Sequence, residues 1–72
     1  MNIENFYKKI GTRIKFLREQ KKLTQEKLAE KAGISLDYLG KIEVNINKPG
    51  LKTIFKLAVA LGIKPKELFD FD

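Results

Sequence analysis

The 72-residue sequence predicts an all-α fold, a compact domain of five helices. Three observations carry this. Apolar residues recur at spacings of three and four along most of the chain, as helices with one buried face require. Pro49 and Pro65 stand beside helix-like runs, where they act as punctuation. No internal repeat, low-complexity stretch or flexible linker divides the chain, and a chain this short supports one modest core that buries roughly 60% of its unfolded surface.

Ile3, Phe6, Ile10, Ile14 and Leu17, with Lys8, Lys9, Arg13 and Lys15 between them, define a first helix from about Asn5 to Gln20. Gly11 weakens it without interrupting the stripe. Thr24 offers an N-cap hydroxyl to a second helix, Gln25 to Lys31, with Leu28, Ala29 and Ala32 inward and Gly33 as its stop. Ser35 caps a third helix with Leu39 and Ile42 inward; it ends near Val44, where Asn45 can take the left-handed conformation. The segment NINKPG is loop. Leu51, Ile54, Phe55, Leu57, Ala58 and Leu61 define a fourth helix closed by Gly62, and Pro65 starts a short fifth one through KELF.

With neither cysteine nor histidine, the chain has no disulfide framework and lacks the usual ligands for zinc or haem and the usual Cys/His nucleophile chemistry. No enzymatic activity, metal or cofactor is expected. No apolar run approaches the roughly 20 residues of a membrane span, and the start, MNIENFYKK, lacks the order of a signal peptide, so a cytoplasmic protein outside the membrane is expected. The net charge is +6, with nine cations and four anions in residues 1–31 against six and five in residues 32–72. That excess suits a polyanion such as nucleic acid or an anionic surface, or serves solubility alone, and does not place a binding face.

The stretch LTQEKLAEKAGISLDYLGKIE, residues 23–43, carries the most specific signal. A capped helix with the small Ala29 in its middle, a turn at Gly33, and apolar Leu39 and Ile42 beyond it describe two helices crossing closely at a steep angle. That is a helix-turn-helix, over about residues 24–44. Its second helix exposes leucine, aspartate and glycine where solvent-facing helices usually carry Glu and Lys. Followed by PGLKTIFKLAVALGIKPKELF, the stretch closely resembles the phage lambda-repressor-like (Cro/C1, or Xre-type) DNA-binding domain. The resemblance runs from about Ile10 to Phe69 and takes in IGTRIKFLREQKKLTQEKLAEKAGIS, Glu43 and the Pro49-to-Gly62 helix.

The resemblance implies a sequence-specific regulator that binds double-stranded DNA. It matches Arg18 and Glu43 to an ion pair that fixes the third helix against the first, two surface charges being the plainer alternative. It puts base reading on Ser35, Leu36, Asp37, Gly40 and Lys41, the outward face of the third helix, which would answer for that face's composition. By residue type, Leu36 suits a thymine methyl, Asp37 cytosine N4, and Lys41 guanine O6 and N7. Asp37 equally suits a helix dipole, Ser35 a cap, and Leu36 a contact within the domain. Gly40 is either a point of close approach or a weak spot of the helix. Tyr38 would give its hydroxyl to a phosphate while its ring leans on the second helix. Thr24, Gln25, Asn47, Lys48 and Lys52, near the starts of the second and fourth helices, are the further phosphate anchors.

The departure from the family pattern lies at EVNIN, where Val44 and Ile46 remove two backbone contacts and Asn45 stands in for a glycine. No effector-binding domain is expected after the fifth helix. One recognition helix reads only a few base pairs, so a homodimer is expected, with half-sites roughly 34 Å apart. Phe69 and Phe71 are the interface candidates: Phe71 the better one, Phe69 also suiting core closure under the fifth helix. A phage, plasmid or restriction–modification repressor or controller is the leading reading. An antitoxin, with a toxin as protein partner, is the alternative; its usual sign would be an extra partner-binding arm, for which residues 1–5 and the terminal DFD are the only spare ends. A third is an interaction adaptor without DNA binding, which exposed Phe16 and Val44 would suit.

Overall fold

The computed structural model describes residues 2–71; Met1 and Asp72, from the two terminal segments, lie outside it. Four α-helices follow one another: α1 Ile3–Gln20, α2 Gln25–Ala32, α3 Leu36–Glu43 and α4 Leu51–Leu61. The fifth element is a 3-10 helix, Pro65–Phe69, so the expectation of a fifth α-helix is corrected. Five residues are too few to reward α-helical hydrogen bonding. Pro65 has no N–H to give, and the Glu67 carboxylate turns back to accept from the Lys64 N–H at 2.8 Å, tightening the turn.

All four α-helices end alike. Lys22, Gly33, Asn45 and Gly62 adopt positive φ, and the next residue's N–H donates back five residues: Leu23 to Arg18, Ile34 to Ala29, Ile46 to Lys41 and Ile63 to Ala58, at 2.8–3.0 Å. This closure satisfies carbonyls that a helix end otherwise leaves bare. Asn45 takes the conformation expected of it, whereas Lys22 does so with no local signal. The starts differ more. Asn2 Oδ1 accepts from the Asn5 N–H at 2.8 Å, so α1 begins two residues before the expected Asn5. Thr24 and Ser35 cap α2 and α3, each accepting from the N–H three residues on at 3.0 Å.

The helices close on Ile10, Ile14, Leu17, Leu28, Leu39, Ile42, Leu57 and Leu68 as the centre of the core. α1 packs against α3 and the 3-10 helix, and α2 against α3 and α4. Three expected core contributions move outward. Ile3 is exposed, because it precedes the part of α1 that other elements cover. Leu51 and Phe55 are 83% and 59% exposed. The buried side of α4 is Ile54, Leu57, Ala58 and Leu61, and at 100° per residue Leu51 and Phe55 fall beside it, with Val59, on the next edge. Leu68 closes the core from the 3-10 helix, in the place given to Phe69, which stays half out and stacks on Phe6.

Candidate nucleic-acid interface

The site begins at the seam that holds α3. α1 and α3 approach so closely at Gly11 that a Cβ there would collide with the Ile42 carbonyl oxygen. Any side chain would push the helices apart, so a residue that costs α1 helix propensity is what allows the seam. Two α1 turns further on, Arg18 Nε donates to Glu43 Oε2 at 2.8 Å and Nη2 donates to Oε1 at 3.1 Å. Arg18 Nη1 also donates to the Leu23 carbonyl at 2.7 Å, and Gln25 Nε2 donates to Glu43 Oε1 at 3.0 Å.

Three donors from two elements therefore meet one carboxylate at the C-terminal end of α3. Both partners are buried, Arg18 at 8% and Glu43 at 7% exposure. The hydrogen bond to Glu43 raises the guanidinium further above its ordinary range, outweighing the desolvation that opposes it. A planar fork against a planar carboxylate fixes orientation as well as distance, which is what a helix positioned for recognition needs.

The opposite side of α3 is open. Ser35, Leu36 and Asp37 are exposed, and Lys41 is partly so. Leu36 at 47% exposure does not join the core, which Leu39 and Ile42 complete. Ser35 caps the helix while standing on this face. Lys41 Nζ lies 3.0 Å from Asp37 Oδ2, an i,i+4 pair that the sequence reading missed although the spacing carries it. At Gly40 an added Cβ would make ordinary contact with the Gln25 side chain and nothing closer than 3.8 Å. Gly40 is thus no point of close approach within the chain.

The anchor candidates separate. The Tyr38 hydroxyl lies 3.5 Å from Thr53 Oγ1 on α4. Thr24 spends its hydroxyl on the α2 cap, and the Gln25 amide is held by Glu43. Lys48 lies 3.6 Å from Glu4 Oε2 and over the Tyr7 ring at 5.8 Å, so α1 already engages it. Lys52 is exposed at the start of α4, where the N-cap Gly50 supplies no side-chain hydrogen bond, unlike Thr24 on α2. Asn47 is partly buried beside it in the loop. Residues missed at the sequence level are Gly11 and Leu23, whose roles arise only where α1 meets the start of α2 and the end of α3.

Two short helices packed together with Ala29 buried in the core, joined at Gly33 and locked by Glu43 to the first helix, form the lambda-repressor-like helix-turn-helix fold. The chain belongs to the Helix-turn-helix family HTH_3, whose model matches residues 14–68. It is 49% identical over 55 residues to the immunity repressor protein of Bacillus phage phi105, covering 76% of this chain and 38% of the repressor. The restriction-modification controller protein C.AhdI from Aeromonas hydrophila superposes with a TM-score of 0.86 at 43% identity, covering 88% of this chain and 96% of the controller. SinR, the master regulator for biofilm formation, solved in complex with DNA, superposes with a TM-score of 0.79 at 37% identity over 85% of this chain and 98% of the SinR chain.

Proposed function

We propose that this chain is one helix-turn-helix domain of a transcriptional regulator that binds duplex DNA sequence-specifically as a homodimer, by binding without chemistry. The observation that carries it is the two-sidedness of α3. Its rear is clamped by Gly11, Arg18 and Glu43, while its front presents Ser35, Leu36, Asp37 and Lys41 to solvent. A helix whose exposed side chains take no part in the core, held in a fixed orientation, is the arrangement a major groove requires. The SinR chain, alike over nearly its whole length, was solved on DNA, and the phage and controller relatives carry regulatory names. The chain spans 38% of the phage repressor's length, so the regulated gene and any effector are not carried over.

In this reading Leu36, Asp37 and Lys41 meet base edges, with Ser35 and Gly40 letting the helix come close. The Asp37–Lys41 pair opens on binding. Lys52 and the uncapped start of α4 take a phosphate, joined by Asn47 and by the Tyr38 hydroxyl, while Thr24 and Gln25 lie at the start of α2 and Lys48 supplies charge nearby. α3 has eight residues, about 12 Å of helix, which spans only a few base pairs. A second copy supplies the other half-site. Leu51, Phe55 and Val59, all more than half exposed along one edge of α4, are a broader apolar surface for that contact than Phe69 and Phe71, which lean on Phe6. Among the described residues no helix is long and apolar enough to cross a membrane, in keeping with a cytoplasmic site of action.

The test is selection of bound sequences from random duplexes, followed by sedimentation of the protein on the selected duplex. A two-fold symmetric sequence bound about 1000-fold more tightly than scrambled DNA at physiological salt is expected, with two chains per duplex. Phe55→Glu should leave the fold intact and reduce that stoichiometry to one. Selection that returns no preferred sequence would refute the regulator reading.

A further inference from the structure

α1 carries a second exposed face that no other helix covers. Asn5, Lys8, Lys9, Thr12 and Phe16 recur at spacings of three and four on the side away from Ile10, Ile14 and Leu17, which enter the core. Asp70 and Phe71, following the 3-10 helix, run beside this face, and together they enclose an open groove of about 700 Å³. Gly11 and Arg18 face α3 from another edge of α1, so the groove stays accessible when α3 is engaged.

The groove combines two chemistries. Its floor is aromatic, with Phe16 at 47% exposure and Phe71 partly buried. Its rim is cationic: Lys9 Nζ lies 5.9 Å from the centre of the Phe71 ring, and the Arg13 guanidinium 5.5 Å from that of Phe16. Arg13 is set in place by donating Nε to the Glu67 carbonyl at 2.9 Å, with Nη2 3.8 Å from Asp70 Oδ2. Lys8 and Lys9 make no ion pair among the described residues.

One end of the groove is filled by the chain itself, in a revealing way. The occupant is an acid followed by an aromatic residue: Asp70 faces Arg13, and Phe71 lies under Lys9. The remainder offers the half-exposed Phe16 ring, with Arg13 at one side of it, and Lys8, which has no ion pair among the described residues. We propose that this groove docks a peptide segment of a partner protein in which an aromatic side chain is flanked by carboxylates. The ring would cover Phe16 and the acids would meet Lys8 and Lys9, so apolar contact and charge are satisfied together. A DNA duplex would use the cations and leave Phe16 bare, and a duplex is too broad to enter a groove between one helix and a short segment. The site is independent of DNA reading by α3 and stands or falls separately from it.

The probe is the acetylated hexapeptide Asp-Phe-Asp-Asp-Phe-Asp, titrated into the ¹⁵N-labelled full chain and followed by amide shifts. Saturable shifts are expected at Lys8, Lys9, Thr12 and Phe16, with none centred on Leu36 to Lys41. Binding should weaken at least tenfold in the double variant Lys8→Glu, Lys9→Glu and in Phe16→Ser, all at exposed or partly exposed positions whose unshifted core resonances report an intact fold. Four outcomes would overturn the proposal: no saturation at millimolar peptide; equal binding by the peptide with both rings replaced by Ala, which reduces the groove to charge attraction; tighter binding by hexathymidylate, which assigns it to nucleic acid; or the same shifts on raising protein concentration without peptide, which assigns it to a second copy.

Discussion

The two sides of α3 are built on opposite terms. Toward α1, contacts are short, buried and over-determined, with Gly11 against a carbonyl and Glu43 accepting from both Arg18 and Gln25. Toward solvent, α3 has a single exposed ion pair, Asp37 with Lys41 at 3.0 Å, and a half-exposed Leu36. Rigidity and availability are thus divided between two faces of one eight-residue helix. The division teaches that the residues buried behind α3 set where its exposed residues stand, while the exposed ones take little part in the packing.

If that contrast is right, substitutions behind α3 should cost stability and those in front should cost recognition. The largest effect is expected for Arg18→Ala, which strands the buried Glu43 carboxylate with Gln25 as its remaining side-chain donor. A loss of about 3 kcal/mol is expected from urea unfolding, well above the 0 to about 1 kcal/mol typical of a surface pair. Zero coupling in a cycle with Glu43→Ala would make the clamp two independent charges.

Next come two glycines that local propensity treats as equal. Gly to Ala within a helix ordinarily gains about 1 kcal/mol. At Gly40 that gain should appear, since the new methyl meets only the Gln25 side chain. At Gly11 the sign should reverse to a loss of about 2 kcal/mol, because the methyl must displace α3 backbone. Equal outcomes at the two positions would mean that close approach does not define the seam.

The smallest effects lie in front and are read on DNA. Lys41→Ala should weaken a selected operator by about 1 kcal/mol, since the lysine must first leave Asp37, and should relax preference at one base pair. Lys48→Ala should weaken all sequences alike and lower the salt slope by less than about one unit, because Glu4 already competes for this lysine. Affinity against log salt, on operator and scrambled duplex, separates the two. If Lys41→Ala acts equally on both duplexes, α3 is an electrostatic contact and not a reader.

Much of this was legible before any tertiary contact was known. The caps at Thr24 and Ser35, the stops at Gly33, Asn45 and Gly62, and the inward Leu28, Leu39, Ile42 and Leu57 all follow from signals within about four residues of each other, because helix hydrogen bonds and helix faces are local. The ion pair of Arg18 with Glu43, across 25 positions, came from family resemblance and not from spacing. Tertiary structure alone decided the rest. Phe55 looks like core in its helix until the position of α2 shows which edge of α4 is covered. Gly11 looks like a weak point until the Ile42 carbonyl arrives beside it, and Lys48 looks free until Glu4 does. Periodicity determines that a helix has a buried face, but which edge is buried, and which charge finds a partner, depends on where segments distant in the chain come to rest.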